Sequence, residues 1–223
     1  MGIKREILTS VVAVLVLTLL LGVAYPLAIT GIGQIAFPGN ANGQLVYRHG
    51  RLVGSDLIGQ SFATPVIDPR TGRIQTHDGI PVTTPDPRYF QTRPSGTTPP
   101  DNAAATTFAN YGPNSRITER AIAANIRAYI SLNGPYYPGG LTAARVPVDA
   151  ADTSASGIDP DISIANADIQ AHRVATVRHL PLAEVLRLVR TYTGGRGLGF
   201  VGNRTVNVLE LNLALDRVSG GNR

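Results

Sequence analysis

The sequence predicts an α+β domain, placed outside the cytoplasm and anchored by a single N-terminal transmembrane helix. Three observations support this fold class. Residues 7–28 contain no charged side chain, which is typical of a membrane span. Helix and strand patterns then follow in blocks rather than in strict alternation, which favours α+β over α/β. About 195 residues remain after the span, enough for one domain with a real hydrophobic core.

The predicted span, residues 7–28, follows a short N-terminal segment, residues 1–6. From Ile7 to Tyr25, a helix rising about 1.5 Å per residue extends about 28 Å, which matches the hydrocarbon core of a bilayer. Two alternatives are a cleaved signal peptide and a buried core helix. The apolar run is longer than a usual signal sequence and has no polar face, and both features favour an uncleaved anchor.

Basic residues predict the orientation of this anchor. Lys4 and Arg5 lie directly before it, and the next basic residue is Arg48. Because basic residues that flank a span tend to stay in the cytoplasm, the N-terminus is predicted inside and the domain outside. The expected location is a cytoplasmic membrane that the chain crosses once.

The composition excludes several classes of function. The chain has no cysteine, so disulfides, thiolate metal sites and cysteine nucleophiles are excluded. Its net charge of +5 comes mainly from scattered arginines without a basic cluster, so no nucleic-acid partner is expected. A cysteine-free domain outside the cytoplasm indicates a bacterial envelope protein stabilised by its core.

Residues 29–44 form the exit from the membrane and are predicted to be irregular. Pro26 lacks a backbone N–H and is expected to kink or end the span. The soluble domain is predicted over residues 45–216. It opens with a hairpin, because Leu45–Tyr47 and Leu52–Val53 are short apolar runs around a turn that contains glycine.

Residues 68–87 are predicted to be a solvated loop insertion. Proline, glycine and aspartate recur there without apolar periodicity, and turn formers continue as far as Pro113.

Three helices are predicted in the rest of the domain. The first follows Ser115, a suitable N-cap, and ends at Asn133. The second follows Ser163 and runs from Ile164 to about Arg178, and the third runs from Leu182 to Thr193. The apolar face of the first helix is formed by Ile122, Ile126, Tyr129 and Ile130.

The C-terminal part alternates apolar and polar side chains over Thr205–Val208 and again over Leu211–Leu215. Alternation is typical of strands, and the shift of parity between the two runs predicts a bulge or two separate segments. Residues 217–223 are predicted to be a flexible tail.

No motif indicates catalysis by this chain alone, and no catalytic residue is assigned. There is no G-x-S-x-G motif and no phosphate-binding loop with a lysine. The glycine-rich stretch Gly195–Gly199 does not open a helix after a strand, so it is a weak nucleotide motif. Asp159 and Asp161 lack the ligand density of a cation site, so no metal site or tightly bound cofactor is expected.

Several short motifs follow one another along the chain. They are Tyr25–Leu27 with Thr30, Gly31, Gln34, Phe37 and Pro38, then Ala41–Leu45, Gly54–Phe62, Tyr89–Ser95, Tyr111–Asn114, Val146–Asp149, Ser154–Pro160, Gln170–Ala175 and Val206–Asp216. In this order they resemble the C subunit of the Kdp potassium-transporting P-type ATPase. Two departures from that family's pattern are residues 68–87, which look like an insertion, and Thr106–Asn110, which replaces a Ser-Gly-Gly-Ser-Asn stretch.

The resemblance implies a non-catalytic accessory subunit of a high-affinity, ATP-driven potassium uptake complex. In that family a channel-like subunit conducts potassium, a P-type subunit hydrolyses ATP, and a small membrane subunit accompanies them in the bilayer. The C subunit is described as a catalytic chaperone that raises the ATP affinity of the hydrolytic subunit and stabilises assembly. The predicted orientation adds a role in capping the outer mouth of the potassium-conducting subunit. The alternative is a stand-alone, membrane-tethered envelope domain with a binding or enzymatic activity of its own.

Two sets of site residues follow from the resemblance. Contact with partner subunits is predicted for the exit motif, because a simple tether needs no particular Tyr-Pro or Thr-Gly pair. The residues concerned are Tyr25, Pro26, Thr30, Gly31, Gln34, Phe37, Pro38 and Asn42. ATP is implied by the resemblance only, and the candidate contacts are Ser154, Ser156, Gly157, Asp159, Gln170 and Arg173, which offer hydroxyls, backbone N–H groups and a cation. The alternative for the Ser154–Asp161 loop is a structural role before the helix that follows Ser163.

Overall fold

The computed structural model describes residues 2–105, 111–112, 114–197 and 199–220. It combines helices with short two-stranded sheets, so the predicted mixture of helix and strand is confirmed. The chain divides into two compact units, Met1–Val53 and Gly54–Arg223, and each is described by itself. The substituted stretch Thr106–Asn110 lies outside the described residues.

One continuous helix opens the N-terminal unit. It comprises α1 (Ile3–Leu19), a π-helical turn (Leu20–Ala24) and α2 (Tyr25–Ala36). The helix is long and apolar enough to cross a membrane, and none of its most apolar window is buried. It is longer than the predicted span, because its 34 residues extend about 50 Å at about 1.5 Å per residue.

The sequence predicted that Pro26 would kink or end the span. The helix does not end there. The π-helical turn lies directly before the proline, and Tyr25 N donates to Leu20 O, five residues earlier. This wider turn gives the proline ring room where an α-helical carbonyl would clash with it. Thr30 Oγ1 then donates to Pro26 O at 2.8 Å, within the continuing helix.

The exit segment is mostly helical, so the prediction of irregular chain over residues 29–44 is wrong. α2 continues to Ala36, and a short helix, α3 (Pro38–Ala41), follows Phe37, whose φ is −139°. Apolar surroundings favour a helix even with glycines present, because the helix satisfies its own backbone hydrogen bonds.

The predicted hairpin is confirmed. β1 (Leu45–Arg48) pairs with β2 (Arg51–Ser55). His49 and Gly50 form the connection with φ values of 49° and 75°, the left-handed conformation of two-residue hairpin turns.

Residues 68–87 contain short strands where the sequence predicted only a loop. β3 (Ala63–Pro65) pairs antiparallel with β6 (Thr83–Pro85), and β4 (Thr76–His77) pairs antiparallel with β5 (Ile80–Pro81). These strands have two or three residues and are mostly exposed, so they bury no alternating apolar face that a sequence pattern could reveal. Backbone pairing holds the segment.

α4 (Arg116–Asn133) confirms the first predicted helix of the domain. Ser115 Oγ accepts a hydrogen bond from Thr118 N at 3.4 Å, as expected of an N-cap. Short helical turns follow at Gly134–Tyr136 and Ala143–Arg145, and then α5 (Val148–Ala151).

α6 (Ile164–Arg178) and α7 (Leu182–Thr191) are the predicted helical pair. Ser163 Oγ caps α6 by accepting from Asn166 N at 3.1 Å. α7 ends before the predicted Thr193, because Thr193 makes a β-bridge with Val206.

The prediction of strands is wrong after Asn207. β7 (Asp161–Ser163) pairs with β8 (Thr205–Asn207), and α8 (Val208–Val218) follows directly. α8 therefore includes the first two residues of the predicted tail, and residues 221–223 lie outside the described residues. Leucines at every second position imitate a strand, but Asn207 Oδ1 accepts from Glu210 N at 3.1 Å and starts a helix.

The hydrophobic core lies where β7, β8, α6, α7 and α8 meet. Phe90, from the chain between β6 and α4, is fully buried in it. The backbone N–H and C=O of Phe90 both bond the side-chain amide of Asn212 on α8, each at 2.9 Å. These bonds fix the Tyr89–Ser95 segment that leads into the candidate site. The rest of the core is formed by Ile162, Ala167, Ala171, Val174, Ala175, Val185, Leu188, Val189, Val206, Val208, Leu211, Ala214 and Leu215.

Candidate functional site

The Ser154–Asp161 loop is folded on itself. Gly157 N donates to Ser154 Oγ at 2.9 Å, and Ile158 N donates to Ser156 Oγ at 3.3 Å. The two serine hydroxyl oxygens are 3.1 Å apart. Gly157 is buried and has a φ of 69°, a conformation that glycine adopts at no steric cost.

The Tyr89–Ser95 motif contacts this loop. The Arg93 guanidinium donates to Thr153 O at 3.0 Å and lies 3.4 Å from the Asp159 carboxylate. Ser95 Oγ donates to Gly157 O at 2.9 Å, across a separation of 62 residues. The structure therefore brings together two of the quoted motifs, and Asp159 belongs to an ion pair.

The loop hydroxyls and the neighbouring cation already have partners within the protein. The hydroxyls of Ser154 and Ser156 already accept backbone N–H groups of the loop. The cation next to it, Arg93, is paired with Asp159. A phosphate bound here would lie close to the Asp159 carboxylate, which carries a charge of the same sign. The geometry thus favours the structural alternative for this loop.

A cavity of about 270 Å³ adjoins the contact between motif and loop. Gln91, Arg93 and Asp101 contribute to one side of its lining, and Asn125 and Tyr129 of α4 contribute to another. The Nε atom of Arg93 is buried and has no hydrogen-bond partner among the described residues.

Asp101 is a carboxyl group of the cavity lining, and its pKa is perturbed. Burial raises its pKa from 3.8 to about 6, and a hydrogen bond with Ser95 opposes that effect. Its backbone N–H donates to Ser95 Oγ at 2.8 Å, and its φ is 58°. The group is therefore partly protonated in mildly acidic solution.

We expect Asp101→Asn to raise the free energy of unfolding most at about pH 8, by less at about pH 5, and little at about pH 3. The folded pKa is about 6 and the ordinary value is 3.8, so the folded state binds more protons between these values. Stability therefore falls as the pH rises through this window, and asparagine removes the charge that causes the fall. Asparagine also tolerates a positive φ.

Urea unfolding of both proteins across this pH range measures the effect. Asp78→Asn is the matched control, because Asp78 also has a positive φ of 51° but is exposed. A constant stability difference between Asp101→Asn and the parent chain at all pH values would contradict the prediction.

Gln170 and Arg173 lie in the interior and not beside the loop hydroxyls. Arg173 is 0% exposed and Gln170 is 1% exposed. Arg173 Nε donates to Asn133 Oδ1 at 2.9 Å, Nη2 donates to Gln170 Oε1 at 2.8 Å, and Nη1 donates to the carbonyls of Pro87 and Tyr89. Burial lowers the pKa of Arg173 to about 10, which leaves it charged at neutral pH.

Gln170 connects this buried cation to the motif segment. Its Nε2 donates to Gln91 O at 3.0 Å, and its Oε1 accepts from Gln91 N at 2.8 Å. Of the six residues proposed to contact ATP, these two therefore support the fold of the Tyr89–Ser95 segment. The other four lie together in the loop.

Sequence reasoning missed a polar network around Asp149. Its carboxylate accepts from Ser163 N and Ser163 Oγ, both at 2.8 Å, and from Asn166 Nδ2 at 3.0 Å. Asn166 Oδ1 in turn accepts from Tyr129 Oη at 2.8 Å and from Gln170 Nε2 at 2.9 Å. Asp149 was quoted within a motif, but its partners come from other elements and only the fold reveals them.

The exit motif lies in the N-terminal unit and is largely exposed there. Tyr25 is 60% exposed and Phe37 is 63% exposed. Pro26, Thr30 and Pro38 are also exposed, and Gly31 is half-buried. Aromatic side chains on such a surface are suited to burial against lipid or protein.

Two of the predicted contact residues also have a role within the unit. The side-chain amides of Gln34 and Asn42 exchange hydrogen bonds at 3.0 and 3.3 Å. Asn42 Nδ2 donates in addition to Pro38 O at 2.7 Å. These bonds fix α3 against the end of α2. The sequence did not predict this contact, because it predicted an irregular segment here.

A protein-family model described as "K+-transporting ATPase, c chain", KdpC, matches residues 7–217. This chain belongs to the KdpC family. The match includes the membrane span, the exit motif and the domain as far as α8, so the resemblance inferred from the motifs is confirmed.

Curated members of the KdpC family support the assignment over most of the chain. Each of three relatives is named a potassium-transporting ATPase KdpC subunit. The relative from Mycobacterium tuberculosis H37Rv is 40% identical over 215 residues, covering 96% of this chain and all of the relative. That from Methylibium petroleiphilum is 43% identical over 214 residues, with 96% and 97% covered. That from Methylococcus capsulatus is 42% identical over 208 residues, with 93% and 95% covered.

The KdpC motifs of the domain meet through side chains in this fold. Arg173, Gln170 and Asn212 come from two of the motifs, and all three bond the backbone of the Tyr89–Ser95 motif. Within the described residues, no group of three or more His, Asp or Glu side chains is placed to hold a metal ion. The motifs therefore contact one another by hydrogen bonds. Together they hold the Tyr89–Ser95 segment, which lines the cavity.

Proposed function

We propose that this chain is the non-catalytic accessory subunit of a high-affinity, ATP-driven potassium uptake complex, in which it raises the ATP affinity of the hydrolytic subunit and stabilises assembly. The observation that carries the proposal is the family match over residues 7–217. The absence of a nucleophile or phosphate-binding motif from the sequence agrees with it. The hydrolysis of ATP resides in a partner.

The partners in this proposal are a potassium-conducting channel-like subunit, a P-type subunit that hydrolyses ATP, and a small membrane subunit. Lys4 and Arg5 before the helix support an N-terminus in the cytoplasm and a domain outside, close to the outer mouth of the potassium-conducting subunit. The domain would cap that mouth. ATP lies on the other side of the membrane, so the chain would act on ATP affinity through its partners.

Such an action requires a coupling free energy between distant sites. The helix would contact a partner whose two conformations differ in ATP affinity, and binding to one of them shifts the equilibrium. Couplings of this kind are commonly worth about 1–3 kcal/mol, or about 5–150-fold in affinity. The exit motif is suited to this contact because its aromatic residues are exposed.

The test is to express the larger subunits with and without this chain and to measure potassium-stimulated ATP hydrolysis over a range of ATP concentrations. Without the chain, we expect the apparent ATP affinity to fall by about 5–150-fold, or the complex to be lost. The amount of assembled complex is measured in parallel, so that lost assembly and weaker ATP binding are separated. An unchanged ATP dependence in a fully assembled complex would overturn the proposal.

The alternative of a stand-alone tethered domain is favoured by the 270 Å³ cavity. That function predicts a ligand retained by the chain purified alone. Mass spectrometry of the chain, purified with and without the larger subunits, distinguishes the two.

A further inference from the structure

The chain between α7 and β8 forms a closed hairpin in the domain. Thr193 bridges Val206 at its base, and Val206 is fully buried in the core. Gly197 bridges Val201 nearer the tip, and Val201 N donates to Gly197 O at 2.8 Å. The tip is therefore held by backbone bonds at two levels, and its base is part of the core.

The tip of this hairpin presents apolar side chains to solvent. Phe200 is 74% exposed and Val201 is 53% exposed. Gly199 and Gly202 flank them with φ values of 83° and 79°, which L side chains rarely adopt. The backbone thus turns sharply on both sides of an exposed aromatic ring, and no burial within the domain accounts for that ring.

Basic side chains flank the tip along the chain. Residues 185–209 contain Arg187, Arg190, Arg196 and Arg204 and no aspartate or glutamate. All four arginines are exposed. An exposed aromatic ring among arginines matches a bilayer interface, where the ring enters the acyl boundary and the guanidinium groups bind anionic phosphates. The same chain carries a helix that is long and apolar enough to cross a membrane, so the full chain can be studied in lipid.

We propose that this hairpin binds an anionic lipid surface, with Phe200 inserted at the interface and Arg196 and Arg204 bound to headgroup phosphates. The proposal does not rest on the function proposed above. It assigns the glycine-rich stretch Gly195–Gly199, a weak nucleotide motif, a role other than nucleotide binding. The glycines shape a turn that places an aromatic ring in lipid.

The chain has no tryptophan, so Phe200→Trp introduces a single fluorescent reporter at the tip. The full chain is reconstituted in nanodiscs of phosphatidylglycerol and phosphatidylcholine, with bromine atoms on the acyl chains near the headgroup. An inserted ring lies about 5–10 Å into the interface, so we expect about twofold more quenching than for a reporter left in water. Val148→Trp is the matched control, because Val148 is 78% exposed and lies on α5 of the same domain.

Three outcomes decide the proposal. The proposal is supported if Phe200→Trp is quenched more strongly than Val148→Trp. This excess quenching should be reduced by Arg196→Gln with Arg204→Gln, or by discs of phosphatidylcholine alone. Equal quenching of the two reporters overturns it. A Phe200→Trp reporter that stays unquenched in lipid but becomes shielded from acrylamide on co-assembly with the larger subunits also overturns it, because the tip then contacts protein. Circular dichroism of each variant confirms that it is folded.

Discussion

Replacing Arg173 by methionine should lower the free energy of unfolding of the domain by about 1–3 kcal/mol. Arg173 is fully buried and donates to Asn133, Gln170 and two backbone carbonyls. Methionine fills a similar volume but donates no hydrogen bond, so these acceptors are left buried without their donor. For a domain of this size, the loss corresponds to a fall of about 5 °C in Tm.

Thermal unfolding of the full chain in detergent, followed by circular dichroism, measures this loss. Arg187→Met is the matched control, because Arg187 lies on the exposed side of α7, and its change should stay within about 0.5 kcal/mol. Arg173→Lys should fall between the two, since lysine keeps the charge but not the planar set of donors. An Arg173→Met chain as stable as the parent would show that the buried bonds do not stabilise the fold, and would return Arg173 to the candidates for ATP contact.

Changing the exit motif should harm assembly more than replacing the span itself. Exchange of residues 7–21 for an unrelated apolar helix keeps the length and hydrophobicity that a bilayer requires. Tyr25→Ala with Phe37→Ala removes two exposed aromatic rings of the kind that dominate interfaces. We expect the double variant to weaken association by at least about 2 kcal/mol, or about 30-fold.

Co-purification with a tagged potassium-conducting subunit measures association for both variants. Ile35→Leu is the control within the same segment, since Ile35 is 86% exposed and the change keeps its size and polarity. Gln34 and Asn42 are left intact, because they fix α3 against α2. Equal losses for the double variant and the exchanged span, or full retention by the double variant, would contradict a docking role for the exit motif.

Local signals in the sequence predicted the elements whose ends are set by neighbouring residues. Ser115 and Ser163 each cap the helix that follows, as their positions indicated. The hairpin around His49 and Gly50 was equally readable, because its turn requires residues that tolerate a positive φ. The sequence predicted strand for α8, because its leucines fit the period of a strand as well as that of a helix. Asn207 followed by Glu210 is the pattern of a helix N-cap, and it indicated the helix.

By itself, the sequence determined the candidate membrane helix, the family and the capped helices of the domain, since these depend on composition, order of motifs and contacts within one turn. The tertiary structure decided what the polar residues do. Arg173 bonds carbonyls 84 and 86 residues away, and Gln170 bonds a backbone 79 residues away. An arginine that is buried in the core and an arginine that binds a ligand cannot be told apart by residue type alone. Only the packing around Arg173 excludes water and gives it internal acceptors, so its support of the fold could not be predicted from the sequence.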